Sequence, residues 1–229
     1  MKEKFKNWSK FDFAWLLIAN LTILGLSLYW GDKPIAIISA MTGITCTIFV
    51  SKQMVANYLF GVINVCLYAY LSFQSKLYGD FMLNAFYYLP MQFIGAYMWI
   101  KSSKEDDSGE VVSKRMSKKD MITTALGCIL GIVIYSLVLN ALGGNIPVID
   151  ATSTVLSVVA MILMVRQYLE QWYLWVIVNS VSIIMWAVSL SQGSGDMATL
   201  IMWTLYLLNS LYGLYSWIKA NKATSIVNN

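Results

Sequence analysis

Two tryptophans and an asparagine share one face of a strongly apolar stretch. Trp172, Trp175 and Asn179 are separated by three and then four residues, the spacing of side chains on one side of a helix. A flat aromatic face beside amide donors and acceptors suits a planar heteroaromatic ligand that bears hydroxyl groups. Aromatic faces also accept a cation without a carboxylate. We therefore expect this stretch to bind a small aromatic molecule.

Further amides and aromatic side chains lie near the middle of apolar segments in both halves of the chain. A buried amide without a partner is costly in hydrocarbon, so these groups must face one another, a wet cavity or a ligand. When such groups bond to each other between membrane helices, each hydrogen bond contributes only about 0.6 kcal/mol to stability on average. For any single asparagine both roles stay open, and for the set as a whole we favour ligand binding. The candidate substrate-binding residues are Trp172, Trp175, Asn179, Gln92, Asn64, Asn209, Tyr88, Phe60 and Tyr212.

Catalysis inside a membrane requires an acid, a base, a nucleophile or a metal ligand at depth. Every carboxylate and every basic residue falls at the end of an apolar segment or in a loop, and Asp150 is the deepest. The chain has no histidine and no Gly-x-x-x-x-Gly-Lys phosphate loop. Its three cysteines, Cys46, Cys66 and Cys128, lack the paired spacing of a disulfide or metal site. We predict no enzyme activity, no cofactor and no metal.

The composition is that of an all-α integral membrane protein. Hydrophobic residues make up 58% of the 229 residues and charged residues 12%, against about a quarter charged in ordinary soluble domains. Eight segments carry almost no charge over the roughly 17–25 residues that a spanning helix needs. They are Phe13–Trp30, Pro34–Val50, Met54–Phe73, Phe81–Ile100, Met121–Leu142, Ile146–Val165, Trp172–Leu190 and Met197–Ile218.

The distribution of basic residues predicts the orientation. With eight spans and a cytoplasmic N-terminus, all of the 16 basic residues except Lys33 and Lys76 lie inside, as the positive-inside rule requires. The lysine-rich start has no small-residue cleavage site after its first apolar segment, which indicates an uncleaved first helix. The net charge of +4 therefore reports orientation and gives no indication of a nucleic-acid partner. Trp30, Trp99 and Trp217, at segment ends, are expected in the interfacial aromatic belts.

Segments two to four and segments six to eight have related sequences. Both end in Gly-x-Tyr-x-Trp-Ile-Lys, and Phe60 and Asn64 stand where Trp175 and Asn179 stand. A three-helix unit starts and finishes on opposite sides of the membrane, so a second copy in the same orientation needs one extra crossing, which segment five supplies. We predict a parallel 3+1+3 repeat with a substrate site at the repeat interface near the midplane. Segment one has no counterpart in this scheme.

The expected organisation follows from these segments. It comprises an extra N-terminal helix (1–33), the first repeat (34–101), a solvated cytoplasmic loop (102–118), a linker helix (119–145), the second repeat (146–219) and a cytoplasmic tail (220–229).

The repeat arrangement, the Trp172-x-x-Trp175 motif followed by Asn179 and the Gly-x-Tyr-x-Trp-Ile-Lys endings resemble the PnuC family of bacterial vitamin transporters, in particular its nicotinamide riboside members. The resemblance covers residues 34–219. It implies a fold similar to the SWEET sugar transporters, with the helices of each repeat connected differently. It also implies uniport of nicotinamide riboside across the inner membrane, followed by trapping through a cytoplasmic riboside kinase. Residue by residue, it assigns Trp172, Trp175, Asn179, Gln92, Asn64 and Asn209 to the site.

Two other interpretations stay open. In the first, the chain is a carrier of another vitamin such as thiamine. In the second, it is a membrane subunit that captures a vitamin for an ATP-driven importer. The internal duplication favours a carrier, because two halves able to rock against each other serve transport and are not needed for capture. Besides the substrate, the expected partner is the lipid bilayer. Whether the protein forms a homo-oligomer stays open.

Overall fold

The protein is all-helical over the residues that the structure describes. In this computed structural model they are 8–74, 81–103, 113–141, 143, 147–191 and 197–227, and they include no strand. A π-helical segment, Leu83–Tyr88, leads directly into α4. The α-helices are α1 (Lys10–Trp30), α2 (Pro34–Ser51), α3 (Asn57–Gln74), α4 (Leu89–Ser103), α5 (Lys118–Ala141), α6 (Pro147–Val165), α7 (Gln171–Ser191) and α8 (Met197–Val227).

Each of the eight predicted apolar segments corresponds to one of these helices, and the all-helical prediction is confirmed. Among the described residues, four helices are long and apolar enough to cross a membrane by length and composition, namely α1, α2, α5 and α6. Shorter apolar stretches, Asn57–Leu71 and Gln171–Ile184, lie within α3 and α7. The last helix continues to Val227, so that residues 220–227, which we expected to form a tail, are helical.

Pro90 explains the π-helical turn before α4. Proline has no N–H group, and its ring crowds the carbonyl group four residues earlier, here that of Phe86. The backbone widens over Leu83–Tyr88, and the Leu89 N–H donates to the Asn84 carbonyl five residues back. The turn keeps Asn84 buried.

The chain forms two compact units. The first is Met1–Val112 together with Tyr215–Trp217, and the second is Ser113–Leu214 together with Ile218–Asn229. Each is held by contacts between neighbouring helices, α2 with α3 in the first unit and α6 with α5 and α7 in the second.

In the first unit, two of the three tryptophans expected in the interfacial belts are buried instead. Trp99 and Trp217 are both 0% exposed, and their ring centroids are 6.2 Å apart. Trp217 donates from Nε1 to the Val50 carbonyl at 3.0 Å, at the end of α2, where the same carbonyl also accepts the Gln53 N–H. The belt prediction is therefore wrong for both residues, because their rings are buried within this unit. Trp30 is exposed, as expected.

The loop after α2 is anchored by residues at the start of α1. Gln53, in this loop, has a left-handed backbone with φ of 57°. The indole of Trp8 donates to Met54 Sδ at 3.2 Å. Asp12 pairs with Lys52 at 3.2 Å, with side chains only 2% and 11% exposed. Asp12 also completes a capping box with Ser9 at the start of α1.

In the second unit, the loop after α6 is anchored in a comparable way by the segment before α5. Gln167 has φ of 65°, and its carbonyl accepts the Lys114 N–H at 2.8 Å. Leu169 donates in return to the Lys114 carbonyl at 2.9 Å, and the Met116 N–H donates to Glu170 at 3.1 Å.

These contacts involve two parts of the predicted repeat scheme. The end of the loop predicted at 102–118 is tied down by backbone hydrogen bonds, while its residues 104–112 lie outside the described part. The first helix, expected to have no counterpart, is attached to its unit much as α5 is, and Ser117 and Asp120 cap α5 as Ser9 and Asp12 cap α1.

Candidate substrate-binding site

A hydrogen bond between α7 and α8 holds one of the predicted ligand residues. Asn179 Nδ2 donates to Ser210 Oγ at 2.8 Å, and both side chains are buried. Because Nδ2 is engaged in this bond, the Asn179 amide is held in one orientation. Such an oriented amide presents its oxygen as a fixed acceptor.

The first tryptophan of the motif is packed tightly inside the second unit. Trp172 is 2% exposed and its ring lies against Gly213. A Cβ atom at residue 213 would come within 2.6 Å of three atoms of this ring, so only glycine allows the approach. Trp175 is half-buried and packs against the cluster of Cys128, Leu156 and Val178.

The remaining candidates of the second unit lie on α8. Asn209 is fully buried and Tyr212 is half-buried, and both interact with neighbouring groups.

In the first unit, Asn64 joins α3 to α2. Its Nδ2 donates to the Ser39 carbonyl at 2.7 Å and lies 3.4 Å from the Ser39 hydroxyl. This is a contact between helices of the kind that a buried amide makes when it has no ligand role. Phe60, beside it on α3, meets Phe49 edge to face, with ring centroids 5.2 Å apart.

Gln92 has a buried acceptor that the described residues leave unused. Its side chain is 6% exposed, and its Oε1 is buried without a hydrogen-bond partner among the described residues. The amide lies directly against Gly61 of α3. Tyr88, one turn before Gln92, is half-buried at the end of the π segment.

Sequence reasoning missed three residues that position these groups. The candidates predicted from the sequence do not include Ser39, Gly61 or Ser210, although each contacts one of those candidates. A glycine inside an otherwise bulky helix is a signal of close approach that was available for Gly61. No comparable signal marks Ser39, since a serine in an apolar helix most often bonds within its own helix.

The site residues that the structure describes are uncharged. The buried carboxylates Asp12 and Glu170 lie at helix ends and are occupied by Lys52 and by the Met116 N–H. Asp150, the deepest carboxylate expected from the sequence, is exposed in the first turn of α6. The arrangement can therefore bind through hydrogen bonds and aromatic faces, and it offers no acid or base at the candidate site.

The chain is similar to known proteins in sequence and in structure. The model of a family described as "Nicotinamide mononucleotide transporter" matches residues 33–219. The chain is 38% identical over 228 residues to the "Nicotinamide riboside transporter PnuC" of Neisseria mucosa, covering 98% of this chain and 87% of that protein. It is 35% identical over 227 residues to the protein of the same name from Haemophilus influenzae, covering 98% and 97%.

A solved structure described as "Crystal structure of the Vitamin B3 transporter PnuC" superimposes with a TM-score of 0.84 at 36% identity, covering 97% of both chains. The resemblance predicted from the sequence is thereby confirmed. The chain belongs to the PnuC family of membrane transporters.

Proposed function

We propose that this protein carries nicotinamide riboside across the membrane by facilitated diffusion. The observation that carries the proposal is the identity of 38% and 35%, over 98% of the chain, to two proteins named nicotinamide riboside transporters. The chemistry of the candidate residues supports it. Amides suit the ribose hydroxyls and the carboxamide, and aromatic faces suit a pyridinium ring.

The unphosphorylated riboside fits these residues better than the mononucleotide that the family description names. A phosphate group must be desolvated to enter, and proteins offset that cost with lysine or arginine side chains. None of the candidate residues is cationic. Arg166, at the end of α6, is exposed.

Within each unit we propose roles for the candidate residues. In the second unit, Trp175 and Asn179 contact the ligand, while Trp172 supports them from its place beside Gly213. In the first unit, Gln92 contacts the ligand. The surrounding candidates, which line or support these groups, are Asn64, Asn209, Tyr88, Phe60 and Tyr212.

Transport is proposed to be uncoupled from protons and sodium. Proton relays through membranes use carboxylates or histidines at depth. This chain has no histidine, and the buried carboxylates of the described part lie at helix ends. The membrane potential is then the only gradient that biases uptake. It changes the free energy of transfer by about 2.3 kcal/mol per 100 mV for the one positive charge of the riboside. Phosphorylation by a cytoplasmic kinase would trap the product.

The architecture proposed for this function is a parallel pair of three-helix repeats, 34–101 and 146–219, joined by a linker helix at 119–145. An additional N-terminal helix precedes them. Both termini and the loop at 102–118 are proposed to lie in the cytoplasm of a bacterium, with the protein in the inner membrane. The placement of all but two of the 16 basic residues supports this orientation.

Uptake into proteoliposomes clamped at zero potential tests the function. Labelled nicotinamide riboside should reach equal concentrations inside and outside, whatever pH or sodium gradient is imposed. Thiamine at the same concentration should not compete. Accumulation that follows either gradient would contradict uniport, and absence of protein-dependent uptake and of binding would contradict the substrate.

A further inference from the structure

The unit formed by the first half of the chain brings Gly61 of α3 against the amide of Gln92 in α4. A Cβ atom at residue 61 would lie 2.8 Å from Gln92 Cδ and closer still to Oε1. Real Cβ atoms do not approach other heavy atoms so closely. The amide of Gln92 therefore occupies the space that any other side chain at position 61 would require.

A second contact fixes the level at which these two residues meet. One turn away, the ring of Tyr58 lies against Gly95, where a Cβ atom would be 2.5 Å from the ring. Tyr58 is 3% exposed and meets Trp99 edge to face, with centroids 5.3 Å apart. In each contact a side chain of one helix fills the place of a missing side chain on the other, so α3 cannot slide along α4 without a clash.

The Gln92 amide is not used by the fold in the way that buried amides usually are. Its Oε1 has no hydrogen-bond partner among the described residues, although the side chain is 6% exposed. Buried polar groups are nearly always paired, and an exception calls for a reason. A ligand that donates a hydrogen bond to Oε1 supplies one.

The second unit shows that helix packing alone does not demand a glycine at this place. There the ring of Trp172 lies against Gly213, much as that of Tyr58 lies against Gly95. Counted from these two ring contacts, position 61 corresponds to Trp175. In the sequence alignment that pairs Phe60 with Trp175 it corresponds to Val176, so neither alignment places a glycine there. The glycine is thus particular to the half that carries Gln92.

We propose that Gly61 is a positioning residue for nicotinamide riboside: its missing side chain admits the Gln92 amide and keeps it in the orientation that meets the ligand. This role rests on the proposed function. It predicts that a single methyl group at residue 61 displaces the amide without removing it.

Binding of labelled riboside to the purified full-length protein tests the proposal with four forms: parent, Gly61→Ala, Gln92→Ala and the double variant. Gly61→Ala and Gln92→Ala should each weaken binding roughly ten- to a hundredfold. The double variant should bind no more weakly than Gln92→Ala alone, because the two changes remove the same interaction. Gly25→Ala in α1, where a Cβ atom meets nothing within 4 Å, is the matched control and should bind like the parent.

Melting temperatures of the same variants separate displacement of the amide from damage to the fold. If Gly61→Ala is destabilised by overlap with Gln92, the double variant should recover the lost stability and still bind weakly. The proposal is overturned if Gly61→Ala binds like the parent, if the two losses multiply, or if the double variant stays destabilised. Failure of the parent to bind the riboside would instead contradict the proposed function.

Discussion

Trp172 packs its ring against Gly213, a contact that only a glycine permits. Replacing Gly213 by alanine should lower the free energy of unfolding by about 1–3 kcal/mol, because the indole is rigid and the added methyl group overlaps it. Gly95→Ala should behave alike, since the Tyr58 ring lies there. Unfolding in mixed micelles with rising SDS fraction measures the change.

Gly127→Ala is the control for these glycine substitutions. Gly127 lies within α5, and a Cβ atom there meets nothing within 4 Å. The variant should be as stable as the parent or slightly more so, because alanine favours a helix over glycine. Equal stability of Gly213→Ala and Gly127→Ala would show that the tryptophan is not locked in place.

The bond between Asn179 and Ser210 should matter for binding. Asn179→Ala should weaken riboside binding roughly ten- to a hundredfold through loss of a buried hydrogen-bond partner. Ser210→Ala should have a smaller effect in the same direction, since it frees the orientation of the amide. Calorimetric titration with the riboside measures both.

Thr204→Ala is the control for Ser210→Ala, because Thr204 lies on the same helix. It is exposed and its hydroxyl bonds to the Leu200 carbonyl within α8, so Thr204→Ala should bind like the parent. Losses for Asn179→Ala and Ser210→Ala that simply add in the double variant would argue against a shared role.

The ion pair between Asp12 and Lys52 should stabilise the first unit by fastening the start of α1 to the end of α2. Asp12→Asn should lower the free energy of unfolding by about 3 kcal/mol, because the Lys52 charge is left buried without its partner. The double variant Asp12→Asn with Lys52→Met should lose less than the sum of the single changes. Asp120→Asn, in the exposed cap of α5, should cost about 1 kcal/mol. If Asp12→Asn also costs only about 1 kcal/mol of unfolding free energy, the ion pair with Lys52 adds nothing to the effect of the helix cap.

The proposed orientation rests on the placement of the basic residues and can be tested by labelling. After Cys46, Cys66 and Cys128 are replaced, single cysteines at Ser108 and Ser194 should react from the cytoplasmic and the outer side respectively. Both positions lie outside the described residues, so the labelling result is independent of the fold described above. Reaction of both from the outer side would contradict the proposed topology and the parallel repeat.

We predict selection against phosphorylated substrates, because the candidate residues are uncharged. Nicotinamide mononucleotide should neither compete with labelled riboside nor be taken up, because no lysine or arginine among those residues offsets its desolvation. Competition assays in proteoliposomes measure this directly. Competition at comparable concentrations would mean that a basic side chain such as Arg166 reaches the ligand.

The sequence by itself determined the class, the helices and the family. The class and the helices depend on how many apolar residues a segment contains and how they are spaced, which can be read from each segment alone. This is so because a helix in lipid satisfies its backbone hydrogen bonds within the same segment. The tryptophan motif and the repeated endings then sufficed to predict membership of the PnuC family. The π-helical turn before Pro90 was not predicted from the sequence.

Only the tertiary structure decided which polar and aromatic side chains meet each other. Trp99 and Trp217 stand at segment ends like interfacial residues, and the partner that buries Trp217, the Val50 carbonyl, is far away in the sequence. Asn64 and Gln92 look equivalent in the sequence, yet one is bonded to Ser39 and the other has a buried oxygen without a partner among the described residues. Whether a buried amide is a contact between helices or a group kept for a ligand depends on what lies within about 3 Å of it. That distance is set by the packing of helices remote in the chain.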